Sequence, residues 1–236
     1  MDILKINSIE SLSTQDGEGV RFVIFLQGCH LQCVYCHNVE TWDAKKGMDK
    51  GIDELVEQVL RYKMYFGDDG GVTIGGGEPL LQVKPLIKFV EKLKGHGISV
   101  VLDTSGAILN DSVVELIGLV DKVLLDIKFT SDEDYKKYVG GDFKKVLAFF
   151  DECEKQGKRI WVRIVVVPGL NDSEQAMEKY IEVLKGRSIE RVELLPFHTL
   201  GFDKYEGLGI KNPLEGTPAM DLDLLGMLQS YIDSKR

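Results

Sequence analysis

Three of the four cysteines in this 236-residue chain fall within eight positions, in Gly28-Cys29-His30-Leu31-Gln32-Cys33-Val34-Tyr35-Cys36-His37-Asn38. Thiolates gathered on one stretch bind soft metals or iron-sulfur clusters, because the thiolate is the form that coordinates. Packing explains such crowding poorly, since cysteine is rare and a buried one serves as an isolated small hydrophobe. The spacing Cys-x3-Cys-x2-Cys differs from the paired Cys-x2-Cys knuckles of structural zinc, which need a second pair elsewhere in the chain. A Cys3His zinc centre, as in a zinc-binding interaction domain, would need His37. That residue directly follows Cys36, and adjacent side chains seldom both reach one ion. An iron-sulfur cubane takes thiolates, and three of them leave one iron open, as a catalytic metal keeps an open position.

An open position calls for a second molecule held beside it. Gly75-Gly76-Gly77-Glu78 follows an apolar run, and glycines there let the backbone approach a ligand closely, although a glycine run alone is equally a turn. Asp103 and Asp126 end two further apolar runs. Two carboxylates on one rim bind a cation, act as acid and base, or cap helices. Lys128, Arg163 and His198 lie at or near the ends of such runs, where a buried cation needs an anion to meet it. Cys153 falls on a helical pattern with Val146, Phe149 and Phe150 and reads as a core residue.

The elements that must position these residues alternate along the chain. Apolar or β-branched runs at Val20–Gln27, Val72–Ile74, Ile98–Leu102, Lys122–Ile127, Ile160–Val167 and Val192–Leu195 read as strands, the first of them buried on both faces. Helical periodicity fills Ile52–Phe66, Pro85–Lys94, Asp111–Leu119, Phe143–Glu154, Ser173–Lys185 and Asp221–Ser234. Six strand-helix alternations predict an α/β protein with a parallel sheet covered by helices. They are too few for a closed eight-stranded barrel, and no dinucleotide fingerprint follows the first run. Every candidate motif follows a strand on one rim, where active sites of such folds lie.

Composition narrows the classes. Hydrophobic residues make up 44% and charged residues 28% of the chain, ordinary for a globular protein. A net charge of −9 gives no support to binding of a phosphate backbone, so no nucleic-acid partner is expected. No run approaches the ~20 apolar residues of a membrane span, and the N-terminus lacks a signal peptide's basic and apolar regions. A cytoplasmic protein with no membrane partner is expected, and in a reducing compartment cysteines serve as ligands rather than disulfides.

Cys29-x3-Cys33-x2-Cys36, with the aromatic Tyr35 before the last cysteine, resembles the signature of the radical S-adenosylmethionine (SAM) superfamily. Asp16-Gly17-Glu18-Gly19-Val20-Arg21, Cys36-His37-Asn38 and Thr41-Trp42-Asp43 make the chain similar, more narrowly, to the activases of glycyl-radical enzymes of the pyruvate formate-lyase type. The likeness spans nearly the whole chain. It departs at Glu18, where that family usually carries proline. It also lacks the cysteine-rich insert of many relatives that activate other glycyl-radical enzymes.

The resemblance implies a single radical SAM domain over residues 1–236, folded as a (β/α)6 partial barrel of radical SAM type. It further implies a 4Fe-4S cluster on Cys29, Cys33 and Cys36, with SAM bound at the open iron. Gly76, Gly77 and Glu78 match the motif that meets the SAM amino group. Tyr35, Cys36 and His37 would contact the adenosine, while Asp126, Ile127, Lys128 and His198 would complete the SAM site. Asp103, Thr104, Leu124 and Asp126 resemble a monovalent-cation site for sodium or potassium, and Arg163 and Asp16 would lie near the partner's peptide. The implied activity is activation of a glycyl-radical enzyme, pyruvate formate-lyase or a different one, with flavodoxin or ferredoxin as electron donor and the chain acting as a monomer.

Overall fold

The computed structural model describes residues 2–236. Strands β1 (Ile3–Ser13), β2 (Arg21–Leu26), β3 (Met48–Gly51), β4 (Gly71–Gly76), β5 (Ser99–Thr104), β6 (Lys122–Asp126), β7 (Arg159–Val166) and β8 (Arg191–Pro196) form one open sheet. Its order is β3-β1-β2-β4-β5-β6-β7-β8. From β2 to β8 the neighbours are parallel, and helices at Ile52–Leu60, Val83–Gly95, Asp111–Leu119, Phe143–Lys155, Glu174–Leu184 and Leu222–Lys235 intervene or follow. This is the helix-covered parallel sheet expected from six alternations, and its open form agrees with the partial barrel that the resemblance implies.

Two strands were not legible. The apolar run at Val20–Gln27 is the second strand rather than the first, since β1 precedes it and pairs with it antiparallel. In β1 only Leu4, Ile6 and Ser13 are buried, and the rest is polar or half exposed. The edge strand β3 has no apolar pattern at all and exists through its antiparallel pairing with β1. The helix expected over Ile52–Phe66 stops at Leu60 and is followed by a single turn, Lys63–Tyr65. Met64 is 81% exposed, so no packing holds that last stretch helical.

Residues along each parallel strand alternate between the helical layer and the barrel interior. Phe22, Ile24, Val72, Ile74, Val100, Leu102, Val123 and Leu125 join the helices in the main core. Those between them point inward, and there Val101, Leu124 and Trp161 form a small apolar layer of their own. Two residues further along the same strands come Asp103, Asp126 and Arg163, all lining an open cavity. Helix caps help set the loops around it: Asn110 Oδ1 accepts from Val113 N at 3.1 Å, and Ser173 Oγ from Ala176 N at 3.2 Å.

Candidate active site

The cavity has a volume of about 600 Å³ and lies at the C-terminal ends of the parallel strands. Cys29, Cys33 and Cys36 line it from the loop that follows β2, and none is in a disulfide. That loop is fixed at both edges by main-chain bonds: Gly28 N donates to Thr41 O, Glu78 N to Gly28 O, Gln32 N to Val139 O and Val34 N to Tyr138 O, all within 2.8–2.9 Å. Burial pushes the thiols of Cys29 and Cys33 up to about 12 and raises Cys36 as well. Lys128 pulls Cys33 down, but too weakly to offset desolvation. Thiolates here need a strongly positive group to stabilise them.

Gly76, Gly77 and Glu78 form the opposing wall. Gly76 has φ +109, a conformation open to glycine. Glu78 is buried, yet both oxygens are engaged. Oε1 accepts from Thr104 Oγ1 at 2.6 Å and Leu80 N at 3.1 Å. Oε2 accepts from Ser105 N at 3.1 Å and from Ser105 Oγ. Ser105 was missed in the sequence, although it directly follows the expected Thr104.

The floor is an ion-pair network set by strand register. Asp126 and Arg163 are partners across β6 and β7, and Arg163 Nε donates to Asp126 Oδ1 at 3.1 Å. Its Nη2 donates to Asp103 Oδ1 at 2.5 Å, and Lys128 Nζ donates to Asp126 Oδ2 at 3.1 Å. Burial would raise both carboxylates. For Asp126 the two cations override it and the carboxyl is lowered. For Asp103 burial wins over Arg163, with Asp126 and Asp16 adding negative field, and the carboxyl rises to about 6. Asp16 enters the same floor from the loop before β2, its Oδ2 accepting from Ser13 Oγ at 2.6 Å.

Tyr35, His37 and His198 complete the walls. The His37 and His198 rings stack at 3.7 Å and 6°, and His37 Nε2 donates to the His198 carbonyl at 2.7 Å. Burial and the neighbouring imidazole lower His37 to about 4, so it is neutral. This bond occupies one ring nitrogen of His37, and the stacked His198 ring covers one of its faces. Tyr35 Oη and His198 Nδ1 are buried without a protein partner among the described residues. Helix Phe202–Gly207, unforeseen in the sequence, braces the loop: Tyr205 Oη donates to Cys36 O at 3.0 Å and Lys204 Nζ meets Glu40 at 2.6 Å.

Of the expected site residues, Ile127 and Leu124 do not line the cavity. Ile127 belongs to the main core, while its amide donates to Arg163 O at 3.0 Å. The Leu124 side chain sits in the apolar layer beneath. Val167 and Cys153 are core residues. No helix among the described residues is long and apolar enough to cross a membrane.

The donor set fits a 4Fe-4S cluster. Three soft ligands come from one short loop, and open space remains beside them for a second molecule.

Comparison with known proteins agrees. Residues 23–181 match the description of the radical SAM superfamily. The chain is 41% identical to a pyruvate formate-lyase-activating enzyme of Clostridium pasteurianum over 97% of its own length and 96% of the relative's. It is 37% identical to one from Staphylococcus aureus (strain USA300), over 98% and 95%. Among solved structures, a domain of a pyruvate formate-lyase-activating enzyme from Bacteroides vulgatus superposes with TM-score 0.58 at 22% identity, covering 70% of this chain and 94% of that one. Streptococcus suis SuiB bound to its precursor peptide SuiA gives TM-score 0.70 at 16% identity, covering 90% and 45%. At these identities the structures speak for the fold alone.

Proposed function

The chain belongs to the radical SAM superfamily, in the branch that holds the pyruvate formate-lyase-activating enzymes, and from that premise we propose that it is the activase of a glycyl-radical enzyme, pyruvate formate-lyase. The observation that carries this reading is one cavity lined both by three free thiols on the β2 loop and by the Gly76-Gly77-Glu78 wall. Cys29, Cys33 and Cys36 would hold the 4Fe-4S cluster. When bound, the cluster supplies one electron for reductive cleavage of SAM to methionine and a 5'-deoxyadenosyl radical, which takes a hydrogen atom from a glycine of the partner.

The chain's own residues bind, orient and exclude water. Glu78, anchored by its four donors, presents fixed negative charge to the SAM amino group across the bare backbone of Gly76 and Gly77. Tyr35, Cys36 and His37 bound the adenosine. Lys128 and His198 are oriented toward the remainder of SAM, with the Asp126-Ile127 backbone beneath them. A monovalent cation would sit among Asp103, Thr104, Leu124 and Asp126. Because Arg163 and Lys128 already neutralise Asp126, that cation enters only by displacing one of them. Arg163 and Asp16 face the peptide that carries the target glycine, and a flavodoxin or ferredoxin supplies the electron. The chain works as one domain over residues 1–236 and as a monomer.

The test is electron paramagnetic resonance of anaerobically reconstituted, dithionite-reduced protein with and without SAM, followed by incubation with pyruvate formate-lyase. A reduced-cluster signal that changes with SAM, then a glycyl radical on the partner, is the expected result. Cys29→Ala should remove SAM cleavage while leaving the fold. Cleavage retained in Cys29→Ala, or no partner radical from active wild-type protein, would refute the reading.

A further inference from the structure

Asp16 and Glu18 are two residues apart and face opposite ends of the barrel interior. Asp16 lines the cavity. Glu18 Oε2 lies 3.0 Å from Lys122 Nζ, and both Glu18 oxygens lie 3.1 Å from Arg159 Nη2. Lys122 opens β6 and Arg159 opens β7, so these ion pairs sit at the end remote from the cysteine loop. Gly17, between them, passes beside the apolar layer: a Cβ there would be 3.7 Å from Val101 Cγ2, and its φ of +127 suits glycine. Residues 16–18 therefore thread the barrel like a peg.

The remote end is built to grip. The Lys122 side chain is 2% exposed, its Nζ lies 4.0 Å over the Trp161 ring and 2.8 Å from Glu190 Oε2. Trp161 Nε1 donates to the same Glu190 oxygen at 2.8 Å, and Arg159 Nη2 to Glu190 Oε1 at 2.7 Å. The buried ammonium pairs with both carboxylates by charge, and Arg159 and Trp161 supply the hydrogen bonds beside it. On the cavity side the peg is tied by its main chain, where Thr73 Oγ1 donates to Asp16 O at 2.7 Å while accepting from the buried Arg21 Nε at 3.0 Å. With both ends fixed, the peg has one depth in the barrel.

We propose that Glu18 is a positioning residue, whose latch to Lys122 and Arg159 sets the depth of the peg and thereby holds Asp16 at the cavity floor for the partner's peptide. What Asp16 meets rests on the activase reading; the latch rests on geometry alone. Glu18→Gln keeps the shape and removes the charge, and Glu18→Asp restores the charge. In Glu18→Gln, hydrogen exchange of the amides of residues 15–19 should quicken about two- to fivefold. The half-saturating concentration of pyruvate formate-lyase should rise several-fold, with partner-free SAM cleavage unchanged and Glu18→Asp recovering most of the difference. Unchanged exchange overturns the latch, and faster exchange with an unchanged partner concentration overturns the positioning role. Wild-type protein that cleaves SAM but activates no glycyl-radical partner removes the activase reading instead, and the exchange rates then judge the latch by themselves. Should Glu18→Gln fail to fold, Arg159→Ala, at a half-exposed residue, repeats the exchange test from the other side.

Discussion

Replacing Gly77 by alanine should displace the cysteine loop without unfolding the protein. A methyl group at this position would overlap the Gly28 carbonyl oxygen, lie 2.8 Å from its carbon and stand 3.3 Å from Cys29 Cβ. Ordinary carbon contacts run at about 3.5–4.0 Å, so the Gly28-Cys29 backbone must retreat by on the order of 1 Å. That movement breaks the 2.9 Å bond from Glu78 N to Gly28 O. Overpacking costs about 1–3 kcal/mol and the lost bond about 1 kcal/mol. A total of about 2–4 kcal/mol is less than the stability of an ordinary domain, so the variant folds. Cys29 is nevertheless carried off by several times the roughly 0.2 Å tolerance of a metal-ligand distance. Urea denaturation of the metal-free protein and iron content after anaerobic reconstitution are the measurements. The expected result is a native far-ultraviolet spectrum, a loss of 2–4 kcal/mol and substoichiometric iron. A variant within 0.5 kcal/mol of wild type that retains a full complement of iron would refute the argument that this glycine exists to let the two walls meet.

Three further outcomes follow from the floor and the surface. Arg163→Met leaves Asp103 without its cation in a buried setting, for a cost of about 3–5 kcal/mol by urea denaturation at pH 8. Wild-type Asp103 is held at about 6 and losing the cation raises it further, so this cost should grow as pH rises through about 6 and be least in acid; a pH-independent loss would contradict it. Partner activation should also fall more than partner-free SAM cleavage, and equal losses would take Arg163 out of the peptide site. Glu190 is pulled in the other direction: against desolvation, bonds from Lys122, Arg159 and Trp161 bring it down to about 2 from its usual 4.5. It therefore stabilises the fold above pH 4.5 and loses that contribution between pH 4.5 and 2, so Glu190→Gln should flatten the acid limb of a stability-pH curve. Finally, a Cβ at Gly226, inside helix Leu222–Lys235, would meet nothing within 4 Å. Gly226→Ala should stabilise by about 0.5–1 kcal/mol, and destabilisation would point to a contact on that face.

Much of the fold was legible because six strand-helix alternations are written in local periodicity. Asp111–Leu119 came out with its observed bounds, and the other helices and parallel strands shifted by a few residues. What periodicity could not reveal were β1 and β3. A half-exposed antiparallel strand and a four-residue edge strand owe their existence to a partner far along the chain. Helix Phe202–Gly207 was invisible for a similar reason, as it is defined by what Tyr205 and Lys204 reach on the cysteine loop.

The sequence by itself determined which chemical groups are present and in what local order: three thiols on one loop, glycines ahead of Glu78, and carboxylates at strand ends. These follow from residue type and spacing, which need no tertiary contact to exist. Only the tertiary structure decided how the groups neutralise one another. Asp103 and Asp126 are 23 positions apart, and Arg163 a further 37, yet parallel register brings all three to one floor. Likewise the engagement of His37 by His198, the four donors on Glu78 and the latch of Glu18 on Lys122 join segments whose separation in sequence carries no signal. Charge compensation in a buried site depends on distances of a few ångströms through a low-dielectric interior. Those distances are set by the curvature of the open sheet around its interior, a property of the whole chain.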